Sequence, residues 1–391
     1  MKKFLARFLG NERWQSLTIP LIALTLSFVA ISLLILVIGK NPFDTFKSLL
    51  AGSGWIPKPN YSGGKGQIND FMGFLDALTP MIFAALAVTA ALRSGLFNIG
   101  VSGQMLLAGF VATITIGYSD LSSVVAWPLV LLIGLSVGGL AGGLMGWLKY
   151  QFNIHEVVSS IMLNNIFLYL ISFFIKTRYL DPVSRQSIPI SSQVRLQFAP
   201  ITIGGIETYF PIGLPIAIGM AIVLWYLFKK TTLGLELTAV GKNMKAAEYS
   251  GINTGRMIIL AMIISGALAG LAGATFYLGY YRSINPGVLT SVGFDSIAVA
   301  LLGNIHPLGV ILSSILLTTL TNGATYMSSV VGVRHEIASL IVGLVLLFSA
   351  CGGFIKLWIE RTRQPDILPY DESERPPPPE EVLGREGGIR V

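Results

Sequence analysis

The sequence predicts an all-α integral membrane protein of about ten transmembrane helices, whose two halves are inverted repeats with a broken helix in each. Three observations carry that prediction. Of the 391 residues, 53% are hydrophobic and only 12% charged, and several apolar runs reach seventeen or more residues, so a soluble core is excluded. Glycine occurs 43 times, as expected where helix backbones approach closely in lipid. Two apolar runs end in breaks rich in glycine, one of them also holding a proline, and then resume.

In chain order, residues 1–17 form a basic, partly amphipathic lead-in. The first span, residues 18–39, is too long for the apolar region of a signal peptide and no small-x-small site follows it, so it reads as an uncleaved anchor. Residues 40–75, rich in Gly, Pro, Asn and Lys, read as a polar excursion. Further spans fall at about 76–92, 102–118, 126–148, 157–175, 211–228, 257–278, 294–302, 308–326 and 337–358, which makes ten within a transmembrane domain of residues 18–358. Residues 359–391 include four consecutive prolines at 376–379 and few apolar residues, so they are expected to form a disordered tail.

Lysine and arginine set the orientation. Threading the ten spans from a cytoplasmic N-terminus puts 17 of these residues inside and 10 outside, so both termini are expected in the cytoplasm. The net charge of +7 combines a body of about +11 with a tail of seven acidic and three basic residues. That balance reflects orientation, and no nucleic-acid partner is expected. Cys351 is the only cysteine and supports neither a disulfide framework nor a metal site.

The breaks are RSGLFNIGVSGQ (93–104), with Gly95, Gly100 and Gly103, and GYYRSINPGVLTSVG (279–293), with Gly279, Pro286, Gly287 and Gly293. The first unit starts outside and the second inside, which gives inverted topology, a recurring transporter design with the substrate near the broken elements. Between the halves lies 229–256, the longest charged segment between two spans, with five basic and two acidic residues. Asn243 suits a helix N-cap and Gly251 a left-handed terminator, leaving a helix of about two turns, too short to cross a bilayer. Val240, Met244 and Ala247 fall at helical spacing and predict one apolar face. An ordinary solvated loop and an element gripped by a partner both fit.

Four stretches carry a resemblance: LRSGLFNIGVSGQMLLAG (92–109), HEVVSSIMLNN (155–165), AVGKNMKAAEYSGI (239–252) and FDSIAVALLGNIHPLG (294–309). In this order they resemble the permease subunits of bacterial nucleoside and simple-sugar ABC importers, over about residues 18–358. The LFNIG segment and the long first outward loop look most like the nucleoside permeases. The resemblance implies a type II-like importer fold in a bacterial plasma membrane and alternating access driven by partner ATP-binding cassette subunits, which bind the ATP and Mg. It also implies a second permease subunit, expected to be a different paralogue, and an extracytoplasmic substrate-binding lipoprotein. Lys242, Met244, Lys245, Ala246, Ala247, Glu248 and Gly251 match the loop that couples to the ATPase, with Lys245 where that loop usually has glutamate. Ser102 stands where an acidic residue is common and His155 where asparagine is common, which leaves the substrate open between nucleosides and simple sugars.

The chain has no Gly-x-x-x-x-Gly-Lys-Ser/Thr phosphate loop, no His-Glu-x-x-His and no nucleophile elbow, so neither catalytic nor metal-binding residues are expected. Few charges lie inside the spans, which argues against a self-sufficient secondary transporter. The candidate substrate path is the first break, with Phe97, Asn98 and Gln104, facing mid-span Asn164 and Asn165. For these polar residues a second role, satisfying the backbone of the broken helix, fits equally. Asp295 is expected to cap the short eighth helix, and the glycines at 138, 142, 146, 266 and 270 to pack helices.

Overall fold

The computed structural model describes residues 12–58, 65–198, 200–203, 206–332 and 335–350. The start of the lead-in, Cys351, the last residues of the tenth expected span and the 359–391 tail lie outside them. The first half contains α1 (Glu12–Val37), α2 (Pro42–Gly52), α3 (Lys65–Arg93), α4 (Val101–Ala112), α5 (Ser123–Phe152) and α6 (Glu156–Phe174). After a short hairpin of β1 (Ile201–Ile203) and β2 (Ile206–Thr208) come α7 (Gly213–Lys230), α8 (Thr232–Lys242) and α9 (Met244–Tyr249). The second half is α10 (Thr254–Thr275), α11 (Val292–Leu302), α12 (Pro307–Val331) and α13 (His335–Ala350). Five-residue π turns extend α4, α6 and α10 to Gly117, Tyr179 and Tyr280.

Every expected span falls on one of these helices, yet they are not equal. Among the described residues six are long and apolar enough to cross a bilayer, and α1 with α2 makes a seventh only as a pair bent by 113°. The helices of 101–117 and 292–302 are shorter than a crossing, as the breaks before them require. Residues 40–75 are not a plain excursion. Asn41 accepts a hydrogen bond from the Phe43 N–H at 3.0 Å and Pro42 opens α2, a start signal strong enough to build a helix in polar sequence. That helix then packs on α12, where a Cβ on Gly52 would lie 2.8 Å from the Gly323 Cα.

The halves meet across a glycine seam. Gly134, Gly138 and Gly142 of α5 interlock with Gly266 and Gly270 of α10 so closely that a Cβ on Gly138 would lie 2.6 Å from the Gly270 Cα. In lipid, close backbone approach of this kind is the main source of helix association. Along α3 and α10 the contacts run in opposite order. Ser265 donates to the Ala87 carbonyl at 2.7 Å, and farther along Thr79 and Thr275 converge on Gly213. The long helices of the two units are therefore antiparallel, and each short helix packs on the other unit's long helix, α4 on α10 and α11 on α3. This is the inverted repeat. One end of the bundle carries Arg93, Lys149, Lys229, Lys242 and Arg256 and is called here the basic end; the other carries the hairpin and is called the hairpin end.

Candidate translocation site

At the first break the backbone turns at Gly95, with φ of +71°, and lies against Gly241 of α8. The start of α4 has orphan N–H groups that must find partners away from water. Asn98, fully buried, supplies one: its Oδ1 accepts from the Gly100 N–H at 2.9 Å, while its Nδ2 is held by donating to Gln104 Oε1 at 3.0 Å and Ser265 Oγ at 2.8 Å. Asn164 reaches across from α6, accepting from the Gly103 N–H and donating to the Ile99 carbonyl, both at 3.0 Å. Asn98, Gln104 and Asn164 are thus brought together, with their polar atoms engaged by the protein. Phe97 is half-buried beside them. Asn165 is not brought in: it is exposed on a different side of α6 and donates to the Ile161 carbonyl at 2.9 Å. Replacing Asn164 with alanine should strand both backbone groups and lower stability by about 1–3 kcal/mol. Thermal unfolding of the purified protein checks this.

The second break is built differently. After Tyr280 the chain leaves the helix, turns at Gly287 with φ of +85°, and is tied down from outside: Ser172 Oγ accepts from the Gly287 N–H at 2.7 Å and Ser187 Oγ from the Ile284 N–H at 2.8 Å. Ser102, at the start of α4, donates to the Thr290 carbonyl at 3.0 Å and lies against Gly293, so the two breaks touch. Beside this join is a cavity of about 700 Å³, within the ~300–1,000 Å³ span of small-molecule sites. One wall is aromatic, from Phe276, Tyr277 and Tyr280 on the π turn of α10. The lining also has polar side chains, with Asp295 of α11 and Thr318, Thr321 and Asn322 of α12. None of Phe97, Asn98, Gln104, Asn164 or Asn165 lines it. Asp295 is not the cap residue of α11, which is Ser291; it stands in the first turn, where its carboxyl group accepts a hydrogen bond from the Ser291 side chain, and it lines the cavity.

At the hairpin end, Gln197 donates to Asp76 Oδ2, and Arg195 Nη2 lies 3.9 Å from the same oxygen. Arg195 Nε also donates to the Gly279 carbonyl at 3.3 Å, which ties Arg195 to the second break. Burial, followed by the nearby Arg282 charge, pushes Arg195 down to about 10, against the opposing pull of Asp76 and Tyr209. It stays cationic at neutral pH. At the basic end, His155 caps α6, its Nδ1 accepting from the Val157 N–H at 3.3 Å, far from the cavity lining. Lys149 pairs with Glu156 at 2.5 Å.

The segment 229–256 also belongs to the basic end. Asn243 Oδ1 accepts from the Ala246 N–H at 3.1 Å and starts α9, and Gly251, with φ of +83°, ends it. The cap splits the expected single apolar face. Val240 is buried on α8 and Ala247 on α9, whereas Met244, 41% exposed, turns outward with Lys245, Glu248 and Tyr249.

Residues 71–350 match the family model described as the branched-chain amino acid transport system permease component. The chain belongs to this permease family. It is 36% identical over 344 residues, 87% of this chain and 94% of the relative, to the guanosine ABC transporter permease protein NupP of Bacillus subtilis. It is 30% identical over 361 residues, 90% and 96% of the two chains, to the nucleoside ABC transporter permease protein NupB of Lactococcus lactis. Identity to the glucose ABC transporter permease protein TsgB13 of Haloferax volcanii is 28% over 284 residues, 71% of this chain and 75% of that one.

Sequence reasoning about this permease assigned Asp295 to helix capping and did not single out the cavity's other polar residues. Two signals were available. Asp295 is an acid in an otherwise apolar run, a functional pointer in a membrane segment. Thr318, Thr321 and Asn322 recur at the three- and four-residue spacing that shares one helix face.

Proposed function

We propose that this permease imports nucleosides by alternating access, driven by ATP-binding cassette subunits that dock on α9 at a cytoplasmic basic end. The observation that carries the substrate reading is similarity along nearly the whole chain to NupP and NupB, relatives named for guanosine and nucleosides. The cavity suits such cargo: among the described residues its lining has aromatic rings and neutral polar groups, with one acidic and no basic side chain. A second permease covers the α6 face on which Asn165 stands exposed among Ile161, Met162, Ile166 and Tyr169. A mid-span carboxamide facing lipid would be costly, and such groups join helices across interfaces. The first-break residues Phe97, Asn98, Gln104 and Asn164 brace the conduit, and a lipoprotein receptor delivers cargo to the hairpin end.

The test is uptake by vesicles reconstituted with the permeases, ATPase and receptor. Labelled guanosine should accumulate only with ATP, and excess adenosine should compete where glucose does not. Competition by glucose alone would favour a sugar permease, and uptake without the ATPase would point to a secondary transporter.

A further inference from the structure

The wall of the cavity beside the second break includes a residue whose buried hydroxyl is unpartnered among the described residues. Thr318, a residue of the cavity wall, is 2% exposed, and its buried Oγ1 has no hydrogen-bond partner among the described residues. A buried polar group left unmade in this way costs free energy that a bound ligand can return. One turn along the same face of α12, the Asn322 side chain makes no hydrogen bond to a described residue, although Asn322 too lines the cavity. Opposite in kind stands Asp295, the acidic side chain of the lining, in the first turn of α11. The π turn of α10 adds Tyr277 and Tyr280 to the lining, aromatic rings of the kind on which a flat ring can stack. The cavity lining therefore combines a carboxyl group, a carboxamide that both donates and accepts, a buried hydroxyl and aromatic rings.

We propose that this cavity is the permease's own ligand subsite and takes a ribonucleoside. Asp295 accepts from the sugar's 2′ and 3′ hydroxyls, Asn322 and Thr318 meet the edge of the base, and Tyr277 or Tyr280 stacks on its face. The inference rests on the nucleoside reading above and adds residues and a ligand chemistry to it. A carboxylate is the group that holds ribose hydroxyls in dinucleotide folds, because two adjacent donors meet two acceptor oxygens. The same charge excludes nucleotides, whose phosphate would face an uncompensated like charge. No tight binding is implied, since a conduit must release what it holds.

The experiment compares vesicle uptake of guanosine with that of 2′,3′-dideoxyguanosine by the complete transporter. The wild type should prefer guanosine, and Asp295→Asn should lower that preference about tenfold or more, because a site built for hydroxyls discriminates strongly against analogues that lack them. A packing role for Asp295 would lower both rates alike and leave the ratio unchanged, which overturns the proposal. Thr318→Val supplies the second arm. It deletes an unsatisfied buried hydroxyl, so the ligand-free protein should melt no lower than wild type while the KM for guanosine rises. A lower melting temperature with KM unchanged would instead mark that hydroxyl as structural and sink the assignment. The two readings separate cleanly: a wild-type complex that carries glucose and no nucleoside removes both, whereas guanosine uptake with unaltered ratio and KM in the variants removes the subsite alone.

Discussion

Leucine at Gly270 should leave little assembled permease in the membrane, whereas alanine at Gly139 should be carried at wild-type abundance. Both glycines lie in the α5–α10 region, and only their surroundings differ. A Cβ on Gly270 would press on the Gly134 carbonyl group and sit 2.9 Å from the Gly138 Cα, so neither helix can yield without separating from the other. Separation is resisted on the far side as well, because Ser265 binds the Ala87 carbonyl of α3 and Gly273 abuts the Met105 backbone of α4. At Gly139 the same atom would find Ala267 Cβ at 3.6 Å and Ile263 Cγ2 at 3.7 Å, ordinary contact. Helix propensity favours alanine over glycine by about 1 kcal/mol at either site, so propensity cannot produce the difference. Overpacking of a closed interior costs about 1–3 kcal/mol for small insertions and more for a side chain with no space at all. The graded series Gly139→Ala, Gly138→Ala and Gly270→Leu should therefore fall in that order of melting temperature in detergent. Equal melting of the two alanine variants would mean that the seam is looser than its geometry.

How far this structure could be read from sequence depended on which constraint spoke. Bilayer thickness and the absence of solvent force long apolar runs into helices, and the runs were visible. The Asn243 and Gly251 signals were equally legible, because capping is local chemistry that needs no knowledge of the fold. Direction was the hidden quantity. α3 and α10 are 72% buried across their most apolar stretch, so apolar residues surround them and no polar stripe marks an inside. Asn164 and Asn165 illustrate the cost. Neighbours in a helix point ~100° apart, and here one braces the first break while the other stands exposed. Likewise the inverted-repeat argument drew attention to broken helices, but nothing in the sequence ranked the first break above the second. In the fold, side chains fill the first break, while a cavity adjoins the second. The missed α2 is a lesser matter, since its Asn-Pro start was there to be seen within a polar stretch.

Valine at Gly251 should separate transport from assembly, with nucleoside uptake reduced about tenfold, equivalent to ~1.4 kcal/mol, and permease abundance retained. The helix α9 ends in a defined motif: the Ile252 N–H donates to the Ala247 carbonyl at 3.1 Å and the Gly251 N–H to the Glu248 carbonyl at 2.9 Å. That pair of bonds demands a left-handed residue at 251, and φ there is +83°. A residue with a β-carbon pays roughly 1–2 kcal/mol in this region and a β-branched one more, so the last turn of α9 should fray. No clash adds to this, since a Cβ at Gly251 would meet nothing within 4 Å, which is why the rest of the fold should survive. The fraying would disorder the surface of Met244, Lys245, Glu248 and Tyr249, of which Tyr249 is 94% exposed. A helix of six residues held by one cap and one glycine can transmit a push only while both ends hold. Gly251→Ala should give an intermediate loss, and Glu248→Lys should weaken docking with no change in the permease's own melting. Normal uptake and normal substrate-stimulated ATP hydrolysis in Gly251→Val and Glu248→Lys alike would remove α9 from the coupling path.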